Sequence, residues 1–256
     1  ENVEGEAAPR QKLIVQQQDD GTWLDALGND RSDLIGIDLP DYDVFALDIS
    51  DPRATPRVVQ RYSGVGTILF NLAVNPANGA VYVSNFESNN MTRFEGPGEY
   101  YDSTVRGDTV RNRITVIREG QVLPRHLNKH IDYSRDLGTP AEKALSLAQP
   151  MEMAVTGNGE TLYVVAMSSN KVGVFNTRAL ESDLFQPRAD RQIAVSGGGP
   201  TGLALDEATR RLYVLTRFNN GVSVIDLEAG AEIQNVAMFN PEPQSIVDGR
   251  PFLYDA

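Results

Sequence analysis

Cysteine is absent from this 256-residue chain. That excludes disulfides, thiolate metal sites, a thiol nucleophile and thioether-attached haem within the chain itself. No apolar run approaches the roughly 18–20 residues that span a bilayer, so no transmembrane segment is expected. Basic residues are also scarce: 23 Lys and Arg stand against 35 Asp and Glu, for a net charge of −12. This argues against nucleic acid and anionic membrane surfaces as partners, because both reward clustered Lys and Arg. Only two histidines and one tryptophan are present. The chain opens at Glu1 without Met or a signal-like apolar stretch, which reads as processing or excision from something longer. The apolar fraction of 41% is ordinary for a globular protein and excludes disorder along the whole length.

What is present is self-similarity. Pro150-Met-Glu-Met-Ala-Val155 and Pro200-Thr-Gly-Leu-Ala-Leu205 each place alanine four residues after proline. Nine residues beyond each alanine stands a tyrosine, in Leu162-Tyr163-Val164 and Leu212-Tyr213-Val214. Nine further on come Val172 and Val222. A third copy runs Leu72-Ala73-Val74 and Val81-Tyr82-Val83, with its next strand delayed to Ile114-Thr-Val-Ile117. Alternation of apolar and polar residues over four to six positions is the period of a half-buried strand. Between these runs lie turn-forming stretches, Asn75-Pro-Ala-Asn-Gly79, Thr156-Gly-Asn-Gly159 and Asp206-Glu-Ala-Thr209. Four short antiparallel strands per roughly 40–50 residues make a propeller blade.

The Pro-x-x-x-Ala, Leu-Tyr-Val and Val-x-Val-Ile-Asp226 pattern resembles the YVTN-type β-propeller repeat over residues 68–248. The expected fold is therefore all-β, a β-propeller of four-stranded antiparallel blades, incomplete in this chain, with one short helix. Residues 1–67 form an irregular first blade with a hairpin about Asp19-Asp20-Gly21. There Asp43-Val-Phe-Ala-Leu-Asp48 supplies a third strand and Pro56–Tyr62 a fourth. Trp23 is read as core rather than ligand platform. Residues 68–138 form a blade with an insertion at about 86–110, and 139–196 a blade preceded by the helix. Residues 197–240 form another, and 241–256 begin a further blade with Gln244–Asp248 and Phe252–Tyr254 as strands. The helix is marked by Thr139-Pro140-Ala-Glu142, a capping box with proline at the first helical position. Ala144, Leu145 and Ala148 give it an apolar face and Pro150 ends it.

No complete catalytic constellation stands out. His126 and His130, four residues apart in Arg125-His-Leu-Asn-Lys-His130-Ile-Asp132, would share one face of a helical turn. They fit a metal site with Asp132 as carboxylate ligand, contact with a haem iron from a neighbouring domain, or two solvated side chains on a loop. Asp38, Asp41 and Asp43 around Pro40 offer oxygen ligands for Ca²⁺, or a solvated acidic turn. Gly197-Gly-Gly-Pro200 is not a phosphate cradle, since a strand rather than a helix follows. Its glycines suit a tight blade-to-blade crossover. Nothing marks Arg217-Phe-Asn-Asn220 as a site.

Three further stretches are similar to a narrower group, exported bacterial proteins that join YVTN blades to a c-type cytochrome module. They are Gly64-Val-Gly-Thr-Ile-Leu-Phe-Asn71, Arg125–Tyr133 and Gly249-Arg-Pro-Phe-Leu-Tyr-Asp-Ala256. In that group the last stretch shortly precedes a haem-binding Cys-x-x-Cys-His. The resemblance implies a periplasmic or extracellular scaffold that positions haem c, held in an adjoining segment, for electron transfer. Cysteine-free, this chain departs from the full pattern, so redox activity cannot belong to it alone. Two other readings stay open. One is a non-redox module that binds protein or polymer through the insertion. The other is a lactonase-like hydrolase with a central Ca²⁺, for which no inward-facing carboxylate set is evident.

Overall fold

A computed structural model describes residues 15–18, 20–25, 28–36, 41–89, 108–135 and 138–254. The chain divides into two compact units, residues 1–40 with 89–109, and residues 41–88 with 110–256. In the first, β1 (Val15–Gln17) and β2 (Trp23–Asp25) pair as the hairpin the acidic-glycine turn calls for, with Gln17 opposite Trp23. Trp23 is half-buried, and the buried Asp25 carboxylate accepts from Asn29 and Arg31. Leu13, Ile14, Asp19, Asp38 and most of the insertion lie outside the described residues.

The second unit is all-β and built of propeller blades. β3 (Val44–Asp48) and β4 (Arg57–Tyr62) form a two-stranded sheet. β5 (Ile68–Val74), β6 (Val81–Ser88), β7 (Val110–Arg118) and β8 (Gln121–His126) form a four-stranded antiparallel meander. After α1 (Pro140–Leu145) come β9 (Pro150–Val155), β10 (Thr161–Ala166) and β11 (Lys171–Asn176). A short α2 (Thr177–Glu181) precedes β12 (Gln192–Ala194), which completes the second meander. The third comprises β13 (Pro200–Asp206), β14 (Arg211–Thr216), β15 (Gly221–Asp226) and β16 (Ala231–Ala237). The chain then enters α3 (Gln244–Tyr254).

The nine-residue spacing from alanine to tyrosine has a direct cause. Ala73 faces Tyr82, Ala154 faces Tyr163 and Ala204 faces Tyr213 across the first hairpin of each blade. Each tyrosine in turn faces a valine on the third strand, Val116, Val174 or Val224. Alternation then gives every blade a tyrosine face and an opposite face. Blades stack by laying a tyrosine face on the next blade's opposite face. Tyr82, Ile114 and Val116 pack with Met153, Leu162, Val164 and Phe175. Tyr163, Val165 and Val172 pack with Leu212, Val214 and Ile225. Val44 and Tyr62 of the two-stranded sheet pack with Val83 and Ile117.

Two helical expectations need correction. α1 carries its capping box, with Glu142 N donating to Thr139 Oγ1 and Thr139 N to Glu142, but it stops at Leu145 rather than at Pro150. The buried Asn128 side chain bonds both Leu147 N–H and Leu147 C=O, at 2.8 and 3.1 Å, which draws that backbone out of helical register. Residues 244–254, expected as strands, are helical. A strand there needs a partner for its backbone groups, whereas a helix satisfies its own. Gln244 to Asp248, four residues apart, are hydrogen-bonded along the helix face.

Candidate functional site

Within each meander, the turns joining strands one to two and three to four lie at one end of the sheet. The connections joining strands two to three, and one blade to the next, lie at the other. Residues 167–170 and 217–220, the crossover segments 127–135, 138–149 and 195–199, and the departure of the insertion after Ser88 therefore share one end of the blades.

The best-defined part of this end is the crossover into the last blade. Arg217, Phe218 and Asn219 donate their N–H groups to the carbonyls of Gly199, Gly198 and Gly197. Gly198 and Gly199 have φ of +68° and +55°, and the Phe218 ring lies flush against both. A Cβ on Gly199 would sit 2.4 Å from Phe218 Cδ1, so this approach admits only glycine. Asn170, itself left-handed at φ 51°, accepts the Gly199 N–H at 2.7 Å. The glycine run is thus a crossover, and Pro200 opens the innermost strand.

α3 is fixed to the same turn. Arg250 Nη1 donates to the carbonyls of Arg217 and Phe218 at 3.0 and 2.8 Å, and its Nη2 pairs with Glu242. Tyr254 stacks on Phe218, with ring centroids 6.1 Å apart. Phe252 and Phe239 are left 93% and 86% exposed. Sequence reasoning missed this anchor. Arg250 stood within a quoted motif and Phe218 in a turn with no mark of function, and nothing in the spacing joins them.

The histidine stretch lies at this end too, with its members in separate partnerships. His126 Nδ1 lies 3.1 Å from the Asn112 carbonyl, which only accepts, so Nδ1 carries the proton. Tyr133 lies against that imidazole, and Arg111 covers the Tyr133 ring 3.8 Å from its centroid. His130 Nε2 donates to the Glu142 carbonyl at 2.8 Å. The remaining nitrogens, His126 Nε2 and His130 Nδ1, are buried. Asp132 accepts from Ser134 N and Oγ and pairs with Arg135, and the Ser134 hydroxyl and amide hold its carboxyl below the usual range. Among the described residues no group of three or more His, Asp or Glu is placed to hold a metal ion. A fixed tautomer with a carbonyl partner is the arrangement that a ligating histidine adopts. Of the acidic turn, Asp43 accepts the Val65 N–H at 2.7 Å and Asp41 contributes its carbonyl to Ser63.

Glu142 ties the loop to the helix. It accepts from Thr139, from Asp132 N and from Arg135, and the Thr139 and Asp132 amides bring its carboxyl down to about 2.

The opposite, turn end holds a cavity of about 590 Å³ between the first two complete blades, lined by Asn75, Asn78, Asn158, Arg118, Arg178 and Glu181. Glu181 accepts from the Tyr82 hydroxyl at 2.6 Å, from Asn78 and from Arg118. Burial, then the Glu181 bond, pushes the Tyr82 phenol far above its ordinary value. Asn75 completes the cluster by donating to Tyr82 Oη and to the Gly159 carbonyl. Glu181, Tyr82, Asn75, Asn78 and Arg118 are thus bonded to one another across the cavity, a lock between blades.

No protein-family model matches the chain, and no curated protein matches it. Among solved structures it is similar to hydrazine synthase of Kuenenia stuttgartiensis, at 20% identity and TM-score 0.49, covering 66% of this chain and 48% of that one. It is also similar to the periplasmic gluconolactonase PpgL of Pseudomonas aeruginosa, at 13% identity and TM-score 0.48, covering 74% and 48%. A third is AztD of Citrobacter koseri, at 10% identity and TM-score 0.41, covering 77% and 43%. The chain thus spans about half the length of these structures. Among the described residues, no helix is long and apolar enough to cross a membrane.

Proposed function

We propose that the chain is an exported β-propeller scaffold that holds a partner at the connection end of its blades, and that the partner is an adjoining c-type haem module. One observation carries the reading. Residues 249–254 of the Gly249–Ala256 stretch, which resembles the lead-in to a haem motif, are fixed to the last blade through Arg250 and Tyr254. α3 carries the exposed ring of Phe252, and the exposed Phe239 lies just before the helix in the chain. Without cysteine, this chain attaches no haem itself. The module would supply the electron-transfer chemistry, and the residues here would orient it.

The test is the natural gene and its product. An in-frame Cys-x-x-Cys-His soon after Ala256, with a c-type band in the reduced-minus-oxidised spectrum of the native protein, supports the proposal. Absence of both sinks it. In a protein that carries the module, Arg250→Ala should loosen α3 and slow electron delivery while leaving the haem spectrum unchanged.

A further inference from the structure

The connection between strands three and four differs from blade to blade. It runs through residues 119–120 in the β5–β8 blade and 227–230 in the β13–β16 blade, but through residues 177–191 in the β9–β12 blade. This longer connection folds back over the preceding blade. Arg125 donates to the carbonyls of Leu180 and Glu181, and Lys129 donates to the Asp183 carbonyl and carboxylate at 2.8 and 2.6 Å. Asp183, left-handed at φ 61°, ends α2, and the Leu184 and Phe185 amides both donate to the Ala179 carbonyl. The turn carries Phe185 inward, 7% exposed and edge-to-face with Phe175 at a centroid distance of 5.3 Å.

Behind this connection lies an open-mouthed cavity of about 140 Å³, floored by Leu127, Leu147, Phe175 and Phe185, with Ala179 of α2 on its wall. Protein cores leave few gaps of this size, and a connection that served packing alone would fill it with a larger side chain than Ala179. The volume is about that of an apolar cavity that takes one benzene ring. The mouth is cationic although the chain as a whole is acidic. Arg188 takes both oxygens of the Asp190 carboxylate, at 2.9 and 2.8 Å. Arg191, which also lines the cavity, is exposed, and its guanidinium has no hydrogen bond or ion pair among the described residues. An apolar floor with such a cation at its entrance selects a ligand with a ring at one end and an anion at the other. We infer that the cavity behind residues 177–191 binds a small aromatic carboxylate, its ring inward against Phe175 and Phe185 and its carboxylate on Arg191. The site uses residues of this chain alone, whatever adjoins it.

Titration of the 256-residue chain with 3-phenylpropionate, followed by ligand-detected NMR and calorimetry, tests this. 3-Phenylpropanol supplies the ring without the charge, and acetate the charge without the ring. The acid should saturate a single site at millimolar concentration or below, and acetate should not bind. The alcohol should bind about 10-fold more weakly than the acid, the worth of one charge-assisted bond. Arg191→Gln should weaken the acid by a similar factor and leave the alcohol unchanged. Ala179→Leu fills the cavity from α2 and should abolish binding of both. Arg191 is exposed, so its variant decides the matter if Ala179→Leu does not fold. Absence of saturable binding overturns the proposal, as does equal affinity for acid and alcohol, or binding that survives Ala179→Leu in the folded protein.

Discussion

Replacing Tyr82 by phenylalanine removes one oxygen from a site where nothing else changes shape. The ring is fully buried, and its hydroxyl donates to Glu181 at 2.6 Å while accepting from Asn75 at 3.0 Å. Asn75 keeps its bond to the Gly159 carbonyl, and Glu181 keeps Asn78 and Arg118. The loss is therefore one hydrogen bond to a charged acceptor in a nearly buried position, a change of about 2 kcal/mol. With an unfolding entropy of about 2.1 cal/mol/K per residue, a 256-residue chain should lose about 4 °C from its thermal midpoint. The repeat supplies the control. Tyr163 holds the same register position one blade on, 9% exposed, and its hydroxyl makes no hydrogen bond among the described residues. Tyr163→Phe should move the midpoint by about 1 °C or less. Calorimetry of the two variants side by side decides the matter. Equal shifts, or a silent Tyr82→Phe, would refute the view that the Tyr82–Glu181 bond joins the blades.

Three further outcomes are expected. Gly199→Ala combines a left-handed φ with a Cβ against the Phe218 ring, so it should cost about 2 kcal/mol or more and should raise hydrogen exchange across residues 197–200 and 217–219. Glu142, held at about 2 when folded against an ordinary 4.5, stabilises the loop above pH 4.5, and that contribution fades as pH falls from 4.5 through 2. Glu142→Gln should erase this pH dependence, read from the exchange rate of the Asp132 amide. The Tyr82 phenol, raised far above 10, contributes stability fully present below pH 10 and lost as pH rises beyond it. Tyrosinate absorbance should accordingly show a late-ionising group that is absent in Tyr82→Phe.

The blades were readable because their cause is local. An alanine and a tyrosine nine residues apart are cross-strand partners around a turn, so the offset carries the register itself. α1 was readable for a similar reason, since its capping box lies within four residues. What the sequence hid is held by distant pairings. Glu181 joins Tyr82 across 99 positions, and Arg250 meets Phe218 across 32. Residues 244–254 misled because a short run such as Ile246-Val247, or Phe252-Leu253-Tyr254, suits a strand or a helix equally, and only a neighbouring partner arbitrates. His126 and His130 have helical spacing, yet each imidazole bonds a carbonyl of a different element, on β7 and on α1.

Stacking by a single repeated rule also makes the second unit nearly one-dimensional, with each blade stabilised by its sequence neighbours alone. In such an array cooperativity is greatest in the interior and decays toward the ends. The β9–β12 blade is covered on both sides, with Leu162, Val164, Val165 and Val172 all without exposure, whereas β13–β16 and β3–β4 each offer one side to solvent. Amides of β10 and β11 should therefore open only with global unfolding, while those of β3, β4 and β16 exchange through cheaper local openings. The second unit would then open at β3–β4 and β16 before it opens at β10 and β11.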